Sequence, residues 1–210
     1  MEEIRPMILL NSNEQRILGA LLEKSKTTPD YYPMTINSLT AACNQKTSRN
    51  PVVNYDEETV TLTLNALKIK GLASTVTASG SRTVKWKHNL AIVYPLLPAD
   101  LAIICLLLLR GPLTPGEINT SSGRMYEFET IEQVQENLQR LASLSVPFVK
   151  QLGKKPGQKE ARFMQLFGGD PVDEVQAELP LAASDSTLEL RISKLEQEVL
   201  ELKELLSQLM

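Results

Sequence analysis

Residues 56–88 constrain the fold more than any other stretch, because they combine a helix with two strands that follow it directly. Asp56 can cap the helix with its side-chain oxygen, and Gly71 can end it in a left-handed turn. Between them apolar residues recur at helical spacing, namely Val60, Leu64 and Leu67. Residues 72–77 and 82–88 are rich in strand formers. A helix followed by such a hairpin predicts the second part of a winged helix-turn-helix, in which the hairpin is called the wing.

The same pattern returns later in the chain, which predicts a duplicated domain. Apolar residues of the third helix reappear 74 residues on, whereas those of the first helix, with a Thr-Pro pair, reappear 86 residues on. The matched positions are Val60 and Val134, Leu64 and Leu138, Leu67 and Leu141, Ile17 and Ile103, Leu21 and Leu107, Leu22 and Leu108, and Thr28-Pro29 and Thr114-Pro115. The difference of 12 residues predicts an insertion in the first copy only, at residues 44–55 between its second and third helices. This loop is expected to be a solvated connection.

The repeat divides the chain into four parts. Residues 1–90 form the first winged-helix domain and residues 91–168 the second, followed by an acidic flexible linker at 169–185 and a C-terminal helix at 186–210. The expected fold is therefore mainly α with small β-hairpin wings, which is an α+β class. It consists of two tandem winged helix-turn-helix domains and a C-terminal coiled-coil helix.

Capping residues mark where the other helices begin. Ser12 with Gln15 is expected to form a capping box for the first helix, and Thr114 with Glu117 one in the second copy. Thr35 is expected to cap the second helix. The helices are predicted over residues 12–24, 35–43, 57–70, 99–110, 131–143 and from residue 115 onward, with second-wing strands over 148–152 and 161–167.

The C-terminal helix carries a heptad repeat. Its apolar residues alternate at spacings of four and three, namely Leu188, Ile192, Leu195, Val199, Leu202, Leu206 and Leu209. Leucine at every d position and β-branched residues at two a positions favour a parallel two-stranded coiled coil. A homodimer is therefore expected, and the alternative is a helix that folds back onto its own domain.

Cysteine usage and hydropathy indicate a cytoplasmic protein that does not span a membrane. The two cysteines, Cys43 and Cys105, lie in predicted helices of different copies, so both are expected to be free thiols. The N-terminus lacks the basic and apolar layout of a signal peptide. The most apolar run, residues 101–109, is about half of the ~20 residues that cross a bilayer, which predicts a buried helix.

Basic residues concentrate in the first copy and on both wings. Residues 14–90 hold ten basic and six acidic residues, a formal charge of +4, whereas residues 171–210 hold three basic and nine acidic ones, a charge of −6. The candidate phosphate contacts are Arg82, Lys85 and Lys87 on the first wing, and Lys154, Lys155 and Lys159 on the second. Lys150 and Arg162 lie beside the second group. The alternative is a solvated hairpin whose charges keep an edge strand from aggregating.

The outward faces of the third helices are poor readers of base edges. Opposite Val60, the first copy carries an apolar outer stripe of Leu62, Ala66 and Ile69, where a DNA reader would present polar side chains. The same face of the second copy carries a polar set that includes an acid, namely Gln133, Glu136, Arg140 and Ser143. The outer stripe is therefore expected to be an interface, buried against the other copy or a second subunit.

Several short motifs occur in a characteristic order along both copies. They include Leu21-Leu22-Glu23-Lys24, Thr28-Pro29-Asp30, Tyr32-Pro33, Ala42-Cys43-Asn44-Gln45-Lys46, Asn50-Pro51-Val52, Leu107-Leu108-Leu109-Arg110-Gly111, Thr114-Pro115-Gly116-Glu117 and Arg124-Met125-Tyr126. Over roughly residues 10–168 the chain resembles the YceH-like family of uncharacterised bacterial proteins. The resemblance implies a tandem winged-helix fold and no established activity. Gln165 departs from the family, because it stands where a histidine is expected.

The inventory of reactive side chains argues against catalysis. The single histidine, His88, ends a wing strand, and no Cys or His spacing suits zinc. No catalytic residue, metal or cofactor is therefore expected, and Trp86 is expected to pack in the core rather than stack on a base. The hypothesis that follows is a non-enzymatic, dimeric protein that binds double-stranded DNA or acts in transcription. The alternative is a protein-interaction module that uses the outer stripe or the loop at residues 44–55.

Overall fold

The computed structural model describes residues 6–77, 83–154, 157–158 and 160–169. These residues form mainly helices with two antiparallel strand pairs, so the predicted α+β class is confirmed. The elements are α1 (Ser12–Thr27), α2 (Ile36–Cys43), α3 (Glu57–Ile69), β1 (Ala73–Thr77), β2 (Val84–His88), α4 (Leu90–Val93), α5 (Pro98–Arg110), α6 (Pro115–Ser122), α7 (Ile131–Ser143), β3 (Val149–Gln151) and β4 (Phe163–Gln165). Almost all of the predicted linker and the whole heptad helix lie outside the described residues, so the coiled coil stays a prediction.

The two halves of the described chain repeat one order of elements. The first half, α1 to β2, and the second half, α5 to β4, each contain three helices and then two antiparallel strands. In each half one further residue pairs with the second strand, Met34 with Trp86 and Leu113 with Phe163. Both of these residues precede the second helix of their half. The order is the one expected of winged helices, although the single-residue bridges were not foreseeable from the sequence pattern.

The extra residues of the first half lie in two places. Thr35 caps α2 and Thr114 caps α6, so these threonines are equivalent, and they are 79 residues apart. The offset between the halves is 86 residues at the first helix, 79 at these threonines and 74 at the third helix. The first half therefore has seven extra residues before α2 and five after it. Thr28-Pro29 instead opens a 3₁₀ helix, Pro29–Tyr31. The prediction of a single insertion at residues 44–55 is wrong, because a Thr-Pro pair can start either kind of helix.

The first helix is capped one residue earlier than predicted. The Asn11 side chain accepts a hydrogen bond from the Glu14 backbone at 2.9 Å, and the Glu14 carboxylate accepts one from the Asn11 backbone at 2.8 Å. The predicted capping box of Ser12 and Gln15 is therefore wrong. The Gln15 side chain instead accepts a hydrogen bond from Gln165 at 2.9 Å. Two overlapping boxes were available, and Asn and Ser are about equally good caps, so local preference did not decide between them.

The local signals at the other helix ends are confirmed. The Asp56 side chain accepts a hydrogen bond from the Thr59 backbone at 2.8 Å, and Gly71 has a φ of 76°. Thr114 and Glu117 complete their capping box through hydrogen bonds of 2.9 and 3.2 Å. The strands of the first wing, β1 and β2, pair along their whole length.

The halves pack on each other through α1 and α5. A Cβ atom at Gly19 would lie 2.9 Å from the Leu109 side chain, so glycine permits this close approach. The Cys105 thiol donates to the Gly19 carbonyl at 3.3 Å, and the Asn50 backbone donates to the Leu109 carbonyl at 2.8 Å. The two halves are therefore packed directly against each other. Cys43 and Cys105 are both buried free thiols, as predicted.

Each half buries one carboxylate at the start of its first helix. Glu14 in α1 is 2% exposed and Asp100 in α5 is 0% exposed. Each accepts a hydrogen bond of 2.8 Å from the backbone N–H of the residue that caps its helix. Glu14 also pairs with Lys70 at 2.7 Å, and Asp100 pairs with Arg140. These pairs tie the start of the first helix to the end of the third helix in both halves.

Candidate nucleic-acid interface and inter-half cleft

The first wing presents two of its three predicted phosphate contacts on one face. Lys85 and Lys87 alternate with Trp86 along β2, so the lysines point away from the side on which Trp86 packs. Lys85 is exposed, Lys87 is half-buried, and Trp86 is only 5% exposed. Lys68 of α3 lies beside Trp86, with its Nζ 5.9 Å from the centroid of the Trp86 ring. Trp86 therefore packs in the core as predicted, while Arg82 lies outside the described residues.

One cation beside the second wing, Arg162, is already paired with an acid. Lys154 is exposed, whereas Lys155 and Lys159 lie outside the described residues. Arg162 donates to both carboxylate oxygens of Glu117, at 2.9 and 2.7 Å. Burial alone would raise the pKa of Glu117, but hydrogen bonds from the α6 cap and from Arg162 outweigh it and lower that pKa. Glu117 is 45 residues away in sequence, so the local charge pattern did not reveal this pairing.

The outer stripe of α3 is exposed in this chain. Leu62 is 64% exposed and Ile69 is 88% exposed, while Ala66 is half-buried. The halves meet through α1 and α5, which leaves the outward face of α3 uncovered. The expected burial of the outer stripe against the other copy is therefore wrong, and a second subunit or another partner stays a proposal.

The equivalent face of α7 is acidic. Glu136 is exposed, as the sequence pattern predicts for this side of the helix, and Glu132, which was not part of the predicted set, is exposed one turn earlier. Arg140 was expected beside them, but its guanidinium pairs with the buried Asp100. Since the cation is occupied, the two carboxylates leave this face repulsive to phosphate.

The loop at residues 44–55 is folded onto the first half. Arg49 is 6% exposed and donates to both carboxylate oxygens of Glu23, at 3.0 and 2.6 Å. The Asn44 side chain and the Tyr55 backbone close the loop through two hydrogen bonds of 2.8 Å. Burial alone would raise the pKa of Glu23, but Arg49 outweighs it and lowers that pKa. Seven of the twelve loop residues are exposed, so the loop is solvated as expected, but the buried Arg49 anchors it to the helices.

This loop forms one wall of a cleft between the halves, here called the inter-half cleft. The cleft has a volume of about 360 Å³, and its other walls are the end of α1, α5 and the end of α6. The charged and hydroxyl side chains that line it are Glu23, Lys24, Lys46, Arg110, Arg124, Thr27, Thr47, Ser48 and Ser121. Arg110 donates to the hydroxyls of Ser48 and Ser121, at 2.9 Å in each case. One guanidinium thus links the loop of the first half to α6 of the second.

The inter-half cleft brings together residues from several separate motifs. Lys24, Lys46, Arg110 and Arg124 all occur in the short motifs that resemble the YceH-like family. The wings stood out in the sequence because their cations are clustered along the chain. The cations of the cleft are dispersed and meet only on folding, so neither charge counting nor periodicity found them.

His88 lies at the end of β2 in a closed environment. Its Nε2 lies 3.3 Å from the Ser25 hydroxyl oxygen. Burial, followed by the charges of Lys26 and Lys87, lowers the pKa of His88 to about 4. The cavity beside it has a volume of about 10 Å³, which is too small for a substrate.

No cluster of metal-ligating side chains and no membrane-spanning helix occurs among the residues that the structure describes. Within them, no group of three or more His, Cys, Asp or Glu side chains is close enough together to hold a metal ion. None of their helices is both long and apolar enough to cross a membrane.

These features define an α+β protein of two similar halves whose outward surfaces differ. The chain belongs to the family described as "Protein of unknown function, DUF480", whose family model matches residues 10–158. The resemblance to a family of uncharacterised bacterial proteins is thereby confirmed.

Curated relatives match nearly the whole chain. A UPF0502 protein of Shewanella piezotolerans is 48% identical over 210 residues, which cover 95% of this chain and 96% of the relative. A UPF0502 protein of Shewanella pealeana is 45% identical over 212 residues, with coverage of 96% and 98%. Another, from Solibacter usitatus, is 45% identical over 197 residues, with coverage of 92% and 93%. These names state no activity, so a function has to be inferred from the geometry.

Proposed function

We propose that this chain is a non-enzymatic tandem winged-helix protein that binds double-stranded DNA in a transcription-related role, with its first wing as the main contact. The observation that carries the proposal is the pair Lys85 and Lys87, presented on one face of β2 while Trp86 holds the strand in the core. A hairpin anchored in this way keeps its cations in position against backbone phosphates. The full set of proposed contacts is Arg82, Lys85, Lys87, Lys154, Lys155 and Lys159.

The binding is proposed to tolerate most DNA sequences. The outward face of α3 exposes Leu62 and Ile69, and that of α7 exposes Glu136. Base edges in the major groove are read by side chains such as Arg, Asn and Gln that form paired hydrogen bonds. Apolar and acidic side chains at these outward positions favour backbone contact over base recognition.

Fluorescence anisotropy of the full chain with a random duplex at low salt tests this proposal. Non-specific DNA binding usually has a dissociation constant of about 10⁻⁴ to 10⁻⁶ M. Lys85→Ala with Lys87→Ala should weaken the binding. The matched control is Lys46→Ala with Arg124→Ala, which removes the same charge from exposed positions of the inter-half cleft and should leave DNA affinity unchanged. No binding at about 100 μM protein would overturn the proposal.

The protein is further proposed to be a cytoplasmic homodimer joined by its C-terminal helix. The alternation of apolar residues by four and three, from Leu188 to Leu209, supports a two-stranded coiled coil. Light scattering should give a dimer for the full chain, and a chain that ends at Gly169 should dissociate more readily. A full chain that is monomeric at every concentration reached would remove the coiled coil.

A protein-interaction role is the second candidate function, and the outer stripe favours it. Leu62 and Ile69 are 64% and 88% exposed on one face of α3. Large apolar side chains grouped on a surface often mark a contact with another protein. In this alternative the winged helices are only a scaffold. Absence of DNA binding, together with self-association that Leu62→Glu abolishes, would favour this candidate over the first.

A further inference from the structure

We propose that the inter-half cleft binds a small molecule that carries phosphate groups, at a site separate from the DNA contact of the wings. Lys24 enters the cleft from α1, Lys46 from the loop after α2, Arg110 from α5 and Arg124 from the segment after α6. Cations from four separate segments therefore converge on one concave surface.

The charges of the inter-half cleft are not balanced by its own acids. Glu23 is the one carboxylate among the residues that line the cleft. It accepts two hydrogen bonds from the buried Arg49, and Lys24 also approaches it at 3.4 Å. Four cations and one carboxylate line the cleft, a net charge of roughly +3, and the buried Arg49 offsets that carboxylate from behind. Like charges gathered in a cleft repel each other and focus a positive potential, which an anion would neutralise.

The Arg110 guanidinium is already positioned to receive such an anion. It donates to the hydroxyls of Ser48 and Ser121, at 2.9 Å in each case. These bonds use two of its five N–H donors, and a planar guanidinium matches the spacing of phosphate oxygens. Each serine hydroxyl accepts from Arg110 and so keeps its own proton to donate to a ligand. The cleft thus offers neutral and charged donors side by side.

The size of the inter-half cleft favours a small ligand over a duplex. A volume of about 360 Å³ lies within the range of roughly 300–1,000 Å³ that is usual for small-molecule sites. Lys46 and Arg124 are exposed at this site, where long side chains can close over a bound molecule. A molecule with one or two phosphate groups fits this space, whereas a DNA duplex is too broad to enter it.

Isothermal titration of the full chain with inorganic pyrophosphate, at constant ionic strength, tests the site. The unmodified chain should bind, and Lys46→Ala with Arg124→Ala should weaken binding about tenfold or more, because each substitution removes a charge-assisted contact. Both side chains are exposed, so circular dichroism should show an unchanged fold. The matched control is Lys85→Ala with Lys87→Ala, which should leave pyrophosphate affinity within about twofold.

Duplex DNA is the second arm, because it tests whether the cleft is separate from the DNA contact. The cleft variant should bind a random duplex as the unmodified chain does. The proposed site would be overturned if pyrophosphate did not bind at millimolar concentration. It would also be overturned if the wing variant lost as much pyrophosphate affinity as the cleft variant. An equal loss of DNA and pyrophosphate binding in the cleft variant would overturn the small-molecule assignment. If the wing variant keeps its DNA affinity while the cleft variant loses pyrophosphate, the wing proposal fails and the cleft proposal stands.

Discussion

The two halves of this chain share an interior arrangement and differ on their outward surfaces. Both bury an acid at the start of the first helix, Glu14 in one half and Asp100 in the other, and both pair it with a cation at the end of the third helix. On the outside, α3 exposes the apolar Leu62 and Ile69, whereas α7 exposes the acidic Glu136. A repeated scaffold is therefore held by its inward residues, and a difference in function between the halves has to lie on their surfaces.

The two wings also differ, in whether their cations are already paired with an acid. The first wing exposes Lys85 on the face opposite the anchoring Trp86. The second wing commits Arg162 to Glu117, a residue of α6. A cation that is already paired gains less from a phosphate than one that is surrounded by water. This difference supports the proposal that the main phosphate contact lies in the first half.

Loss of the cation beside a buried acid should have the largest effect on stability. Arg140→Ala leaves Asp100 buried without its partner, and Lys70→Ala does the same to Glu14. Removing one partner of a buried pair costs about 3–5 kcal/mol. Because the two cations are 39% and 33% exposed, we expect a smaller loss of about 2–3 kcal/mol in the free energy of unfolding.

Urea unfolding of both variants measures whether the halves rely on the same arrangement. Arg124→Ala is the control, since it removes an exposed arginine and should change the free energy of unfolding by less than about 0.5 kcal/mol. If one of the two variants lost much of its free energy of unfolding and the other lost none, the view that the interior is equivalent in both halves would be contradicted.

Two glycines should respond to alanine with opposite signs. Gly19→Ala places a methyl group 2.9 Å from Leu109 at the contact between the halves, so it should destabilise the protein by about 1–3 kcal/mol. Gly116→Ala lies in α6, where the nearest atom to the new methyl group is 4.0 Å away, and should stabilise by about 0.4–1 kcal/mol. Thermal unfolding distinguishes them. A harmless Gly19→Ala would mean that α1 and α5 do not need their close approach.

The outer stripe should tolerate charge in the single chain. Leu62 is 64% exposed, so Leu62→Glu should change the free energy of unfolding by less than about 0.5 kcal/mol. Leu64 is fully buried two residues later, and Leu64→Ala should cost about 2–5 kcal/mol in the same denaturant titration. A loss of more than about 2 kcal/mol for Leu62→Glu would mean that another subunit covers the stripe.

Much of the local structure could be predicted because its signals lie within a few residues of each other. Asp56, Thr114 and Gly71 mark helix ends by their own backbone chemistry, and the structure has them in those roles. The error at the start of α1 arose where Asn11 and Ser12 compete as caps. The apolar periodicity of α3 gave its inward face correctly, since Val60, Leu64 and Leu67 are all buried.

Contacts between distant residues could not be predicted from the same signals. Arg49 and Glu23 are 26 residues apart, Arg140 and Asp100 are 40 apart, and Arg162 and Glu117 are 45 apart. Nothing in charge counting says which acid each arginine will meet. Since these pairs determine which cations are available, the wings appeared more alike in sequence than they are in the structure, and the inter-half cleft was not visible at all.

The most direct test of the central claim is the salt dependence of DNA binding, measured for each wing. Each phosphate contact contributes about 0.9 to the slope of log affinity against log salt. Lys85→Ala with Lys87→Ala should therefore reduce the slope by about two, whereas Lys154→Ala should reduce it by no more than about one. An unchanged slope for the first-wing variant, measured by anisotropy on the same duplex, would contradict the assignment of the main phosphate contact to the first half.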